Sequence, residues 1–356
     1  RKLGVKVQIK KNFCEVHGVG MNGFKYKKNL VINAQNSGTL GRLISGILID
    51  TPFPIKIIGD KSLSKRDFKR VTKPLSKFGA TFQLRNNRNL PLVINGSQKL
   101  NSMKFFENKG SAQCKSSVIL AGIKAKGKTF IKAKKSRNHT ELLFKYLKLP
   151  IKIKKNRNFD FIEIQKVNKI KPINYKVPSD ISSGAFFIAL TVLSKNSQIT
   201  IKNVNVNPTR TGITTILKKM GVKISFLNKR TYKGELVADI FVKSPSTLKS
   251  INCPPKLNSE AIDEFLIIFL IAAKAKGISI FKNLDELNKK ESPRLKWSSK
   301  ILKMMGVKVI TTKNSIKIFG NPKLKLNKRI EIQKYLKDHR VFMTCVIAAL
   351  TLGGEW

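Results

Sequence analysis

Apolar residues along this chain keep helical spacing for a stretch, then give way to a glycine and an alternating run. Phe68, Val71, Leu75 and Phe78 stand at i, i+3, i+7 and i+10, on one face of a helix. Phe78-Gly79-Ala80-Thr81-Phe82 follows: a left-handed helix cap, then a half-buried strand. The phrase returns as Leu3-Gly4-Val5-Lys6-Val7, Met220-Gly221-Val222-Lys223-Ile224 and Met305-Gly306-Val307-Lys308-Val309, with a degenerate copy at Leu149-Pro150-Ile151-Lys152-Ile153. Its key positions, 4, 79, 150, 221 and 306, are 75, 71, 71 and 85 residues apart. That period is too long for a minimal solenoid and suits a small α+β unit used several times.

Other elements fit this frame. A strand is expected at Ile55–Ile58, helices at 43–48 and 118–123, and buried helices at Phe265–Ala273 and 341–352. Val177-Pro178-Ser179-Asp180 combines a proline with capping residues before a new apolar helix, so domains are expected at 1–177 and 178–356. Three unit ends precede that hinge and two follow. The chain starts at Arg1 in mid-pattern and stops at Trp356 in mid-helix, which reads as a fragment whose missing start leaves room for a targeting leader.

Composition narrows the classes. With 356 residues and 41% apolar content, the chain can bury a core and is not disordered. The net charge of +51 fits either a polyanionic partner or a lysine-rich composition laid over a tolerant surface. Lysines scattered from end to end suit the second better, so specific nucleic-acid binding is the alternative rather than the expectation. Cys14, Cys114, Cys253 and Cys345 have no metal or redox spacing, and the three histidines argue against zinc; no metal is expected. The apolar runs are too short for a membrane span, and a reducing cytoplasmic setting follows.

Several polar knots sit at helix starts. Asn36-Ser37-Gly38-Thr39-Leu40-Gly41-Arg42 sets small residues and a guanidinium where a helix dipole favours an anion. The 59–66 segment ends in Arg66, a basic clamp or a solvated turn. Ser111-Ala112-Gln113 offers hydroxyl, amide and open backbone, or plain capping by Ser111. In Ser136-Arg137-Asn138-His139-Thr140-Glu141, the Asn138–Glu141 spacing is that of a capping box, and Ser136 and Arg137 lie outside it as ligand-binding candidates. Asp263-Glu264 heads the 265–273 helix, as the dipole favours. Lys290 and Arg294 are four apart, hence on one helical face, with Glu291 beside them as an acid/base candidate. Asp338-His339-Arg340 precedes the last helix. So many cationic knots in both halves imply one cleft for substrates carrying phosphates and carboxylates.

Together with Asn207-Pro208-Thr209-Arg210-Thr211-Gly212, and in this order, these motifs resemble the EPSP synthase (3-phosphoshikimate 1-carboxyvinyltransferase) family over essentially the whole chain. The resemblance implies an α+β fold: a two-domain inside-out α/β barrel of the enolpyruvyl transferase type, built from βαβαββ units with helices packed behind sheets. It implies transfer of the enolpyruvyl group of phosphoenolpyruvate to the 5-hydroxyl of shikimate 3-phosphate, in a monomer without cofactor. Ser111, Ala112, Gln113, Ser136, Arg137, Asp263 and Lys290 would hold shikimate 3-phosphate. Gly38, Arg66, Gln113, Arg294 and Arg340 would hold phosphoenolpyruvate. Asp263, Glu291 and Lys290 would be catalytic, Asp263 as base and Glu291 at the methylene proton.

The departures are a missing Lys-Ser…Arg unit, a missing C-terminal lysine, and Pro293 where the family usually has an acid. With those parts absent, the chain as written is expected to be inactive. A UDP-N-acetylglucosamine enolpyruvyl transferase is the rival of like fold, but its loop cysteine has no match in 59–70.

Overall fold

A computed structural model describes residues 1–21 and 23–356. The chain divides into two compact units, Arg1–Tyr175 and Lys176–Trp356.

Unit 1 opens with a two-stranded antiparallel ribbon, β1 (Val7–Ile9) and β2 (Cys14–Val16). Two copies of one pattern follow. The first is β3 (Leu30–Asn33), α1 (Gly38–Ile47), β4 (Ile55–Ile58), α2 (Lys69–Ser76), β5 (Thr81–Arg85) and β6 (Asn89–Asn95). The second is β7 (Lys104–Glu107), α3 (Ala112–Gly122), β8 (Lys128–Lys134), α4 (His139–Tyr146), β9 (Ile151–Lys155) and β10 (Phe159–Gln165). Their sheets have matching orders, β3-β4-β6-β5 and β7-β8-β10-β9. In each, a crossover helix joins a parallel first pair, and a hairpin adds the rest antiparallel.

Unit 2 repeats the plan with a reduced first strand. A bridge at Ser179 precedes α5 (Ile181–Leu193), β11 (Gln198–Asn205), α6 (Gly212–Lys219), β12 (Lys223–Tyr232) and β13 (Glu235–Lys243). Bridges at Lys249 and Asn252 precede α7 (Phe265–Ala273), β14 (Gly277–Phe281), α8 (Arg294–Met304), β15 (Val309–Thr311) and β16 (Ile316–Gly320). A last β17 (Leu326–Arg329) and β18 (Gly353–Glu355) pair in parallel around α9 (His339–Leu352).

One expectation is overturned. Every sheet among the described residues is open, ending on an unpaired edge strand, and none closes into a barrel. The fold is α+β with mixed sheets. Each three- or four-stranded sheet ends with a hairpin, whose outer strand finds no partner to continue around a ring.

The repeated glycines behave as the pattern demands. Gly79, Gly221 and Gly306 have φ of +113°, +94° and +81°, just before β5, β12 and β15. At the degenerate copy Lys148 takes that role at +55°, since Pro150 cannot. Phe68, Val71, Leu75 and Phe78 are fully buried. α7 is buried on every side, with Phe265 and Phe269 each meeting the Phe281 ring edge to face. In unit 1, small residues draw α1 onto α3: a Cβ on Gly46 would stand 2.2 Å from the Ser117 carbonyl oxygen. No helix of the described residues is long and apolar enough to cross a membrane.

Candidate functional site

Unit 1 gathers its polar residues at the starts of α1 and α3. Ser37 caps α1 by accepting from the Leu40 N–H, and Ser111 caps α3 from the Cys114 N–H. Gln113 ties the two ends together: its Nε2 donates to Thr39 Oγ1 at 2.8 Å, and its Oε1 accepts from Arg42 Nη1 at 2.7 Å. Arg42 lies buried over the Phe68 ring. Burial pulls its guanidinium down to about 10, and Arg66 and Arg70 push the same way. An anion there would relieve both strains.

Arg66 Nη2 donates to Asn36 Oδ1 at 3.2 Å, so the clamp closes onto the α1 knot. A Cβ on Gly38 would lie 2.8 Å from Arg42 Nη1 and 3.3 Å from Arg66 Nη1, so the bare glycine leaves the two cations a shared space. Glu107 orders the approach to Ser111. Burial raises its carboxyl, while the N–H groups of Ser111, Lys109 and Gly110 draw it back. Ser136 is 7% exposed, and its Oγ has no hydrogen-bond partner among the described residues. A buried, unsatisfied hydroxyl is costly unless something fills the site. Ala112 opens α3, and the half-buried Arg137 lies two residues before α4.

The expected capping box at Asn138–Glu141 is not made. Asn138 is the N-cap of α4 without a side-chain cap bond, and Glu141 turns inward to Lys115 at 2.6 Å. A buried cation offers a carboxylate more than a backbone N–H does.

Unit 2 collects Asp263, Lys290, Glu291, Arg294 and Arg340 into one knot. Asp263 Oδ1 accepts from Lys290 Nζ at 3.1 Å and faces Arg294 Nη1 at 3.6 Å, while its carbonyl accepts from Arg340 Nη1 at 3.1 Å. Arg294 is 2% exposed. Its Nη2 donates to Glu291 Oε2 at 2.6 Å and its Nε to Asp338 Oδ2 at 2.9 Å. Asp338, fully buried, also accepts from Ser292 Oγ and from the Arg340 N–H, capping α9. Burial pushes Asp338 up, but the Arg294 bond and charge outweigh it and hold the carboxyl below its usual range. Burial likewise lowers Arg294, and Asp338, Glu291 and Asp263 more than reverse it.

Lys290 and Arg294 do not share a helical face. Lys290 closes a 3₁₀ turn (Asp285–Lys289), Pro293 is the N-cap, and α8 begins only at Arg294. The two meet through Asp263 instead. Three cations here, Lys290, Arg294 and Arg340, answer three carboxylates, Asp263, Glu291 and Asp338.

A second network was not legible in the sequence. Glu264 is buried and takes a short hydrogen bond from Ser182 Oγ, to which Arg210 Nη2 also donates; Arg210 reaches Asp180 at 2.8 Å as well. Burial first, then Asp263, raises the Glu264 carboxyl. The dipole account of Glu264 is therefore incomplete, because its side chain makes no cap bond. Arg210, Glu264 and Asp338 stood within recognised motifs; Ser182 carried no signal beyond polarity at a helix start. No group of three or more His, Cys, Asp or Glu among the described residues could hold a metal.

The comparisons converge on one family. Its profile, described as EPSP synthase (3-phosphoshikimate 1-carboxyvinyltransferase), matches residues 1–355. A 3-phosphoshikimate 1-carboxyvinyltransferase of Ruthia magnifica subsp. Calyptogena magnifica is 41% identical over 349 residues, 98% of this chain and 78% of that protein. One from Clostridium tetani is 39% identical over 350 residues, 98% and 77% of the two. Among solved structures, EPSP synthase from Acinetobacter baumannii superposes with a TM-score of 0.84 at 36% identity, covering 98% of this chain and 79% of that one. The enolpyruvyl transferase NikO from Streptomyces tendae gives 0.71 at 12% identity, over 99% and 78%, a likeness of fold alone.

Proposed function

The chain belongs to the EPSP synthase family, and from that premise we propose how its residues divide the reaction. The enzyme transfers the enolpyruvyl group of phosphoenolpyruvate to the 5-hydroxyl of shikimate 3-phosphate and releases phosphate. Residues 1–177 and 178–356 serve as its two functional domains.

Ser111, Ala112, Gln113, Ser136 and Arg137 hold shikimate 3-phosphate, joined by Asp263 and Lys290. The unsatisfied Ser136 hydroxyl supports this assignment. Gly38, Arg66, Gln113, Arg294 and Arg340 hold phosphoenolpyruvate. Its support is the convergence of two guanidinium groups, of Arg42 and Arg66, on the bare backbone of Gly38. Asp263 takes the 5-hydroxyl proton while the oxygen attacks C2 of phosphoenolpyruvate. Glu291 gives a proton to the methylene carbon and recovers it as the tetrahedral adduct collapses, and Asp263 passes the hydroxyl proton to the departing phosphate. Lys290, bonded to Asp263, steadies the charge during transfer.

The observation that carries the reading is the knot at Asp263, where three of the proposed groups meet one carboxylate residue. Phosphate release from phosphoenolpyruvate by the protein as its gene encodes it tests the reading. Release is expected only with shikimate 3-phosphate; release driven by UDP-N-acetylglucosamine would move the chain to the cell-wall reaction.

A further inference from the structure

Lys115 and Glu141 form an ion pair with no contact to water. Lys115 is 0% exposed and Glu141 2%, and Nζ lies 2.6 Å from Oε1. The pair is poorly satisfied otherwise. Neither Glu141 Oε2 nor Lys115 Nζ has a hydrogen-bond partner among the described residues, so the close contact of Nζ with Oε1 is an ion pair without hydrogen-bond alignment. Such a pair is a weak source of stability, because the cost of desolvating both charges consumes most of their attraction. Apolar residues of similar volume commonly do as well or better.

Its placement is more informative than its energy. Lys115 stands in the first turn of α3, and its backbone N–H bonds to the Ser111 carbonyl. Glu141 stands in the first turn of α4, four residues after Arg137. A second polar link lies alongside, from Thr140 Oγ1 to Ser116 Oγ at 2.8 Å. An ion pair has a narrow optimum in distance, whereas apolar contacts tolerate sliding. The Lys115–Glu141 contact therefore fixes the register between the two helix starts that carry Ser111, Ala112, Gln113, Ser136 and Arg137.

We propose that Lys115 and Glu141 are positioning residues for shikimate 3-phosphate, setting the spacing of its two binding segments without touching it. This rests on the assignment of those five residues to shikimate 3-phosphate.

The test uses the protein as its gene encodes it. Lys115→Met combined with Glu141→Leu replaces the pair by apolar groups of similar size. Thermal unfolding should be unchanged or improved. Shikimate 3-phosphate should bind about tenfold more weakly by calorimetry, the scale expected when binding groups are misplaced by a fraction of an ångström. The KM for phosphoenolpyruvate should move less than about twofold. Glu141→Asp, which keeps the charge and shortens the reach, should weaken shikimate 3-phosphate in the same direction and guards against a double variant that does not fold. Parental affinity in either folded variant, or an equal loss for both substrates, would overturn the proposal. Ser136→Ala, measured in parallel, separates the two levels: parental shikimate 3-phosphate affinity there would mean that the binding assignment itself is wrong.

Discussion

Asp338→Asn removes one charge from the most enclosed part of unit 2 and little else. The side chain keeps its size, and its remaining oxygen can still cap α9 at the Arg340 N–H. What changes is Arg294. It loses the carboxylate reached by its Nε at 2.9 Å and its Nη2 at 3.3 Å, and an amide N–H₂ now points at a donor. Breaking a buried pair on one side costs on the order of 3 kcal/mol, because the surviving charge is left under-compensated. Glu291 and Asp263 still face Arg294, which keeps the loss at the lower end of the range. For a unit of this size that is a fall of about 6–12 °C in Tm.

Tryptophan fluorescence reads this unit alone, since Trp297 and Trp356 both lie in it. The pH dependence gives a second check. Asp338 has a depressed folded pKa, so its stabilising share is present above the unfolded value near pH 4 and is lost as pH falls through the folded value. The parent–variant gap should therefore narrow below about pH 4. A loss under about 1 kcal/mol at neutral pH, or a gap that stays constant between about pH 3 and 7, would refute the ion-pair reasoning.

Arg66→Ala should mainly raise the KM for phosphoenolpyruvate, and Ser136→Ala should mainly weaken shikimate 3-phosphate. The charged contact is worth roughly 1.5–3 kcal/mol and the neutral one about 1 kcal/mol. Steady-state kinetics with each substrate varied in turn would expose an undivided profile, which would break the assignment. Gly38→Ala sets a Cβ 2.8 Å from Arg42 Nη1 and should displace that fork from Gln113, raising the KM for phosphoenolpyruvate more than it lowers thermal stability. An unchanged KM would show that the space over Gly38 is not used.

The sequence disclosed the periodic parts of this protein well. Glycines at 79, 221 and 306 marked helix ends because only backbone conformation was at stake, and that is a local property. The apolar face of Phe68, Val71, Leu75 and Phe78 was legible for the same reason. Side-chain pairing was not. Asn138 and Glu141 have the spacing of a capping box, yet Glu141 pairs with Lys115, 26 residues earlier. Lys290 and Arg294 have helical spacing, yet Pro293 delays the helix and Asp263 unites them from another segment. Sheet closure is equally non-local: the repeat predicted each strand set, but whether edges join depends on strand tilt and register. The network of Ser182, Arg210 and Glu264 escaped notice because it joins three segments separated by more than 25 residues each.

The most direct test of the central claim is phosphate release from phosphoenolpyruvate, followed continuously while the co-substrate is varied in the protein as its gene encodes it. The account predicts release that saturates with shikimate 3-phosphate, is absent with UDP-N-acetylglucosamine, and collapses in Asp263→Asn. Release that ignores shikimate 3-phosphate, or that survives Asp263→Asn undiminished, would contradict it.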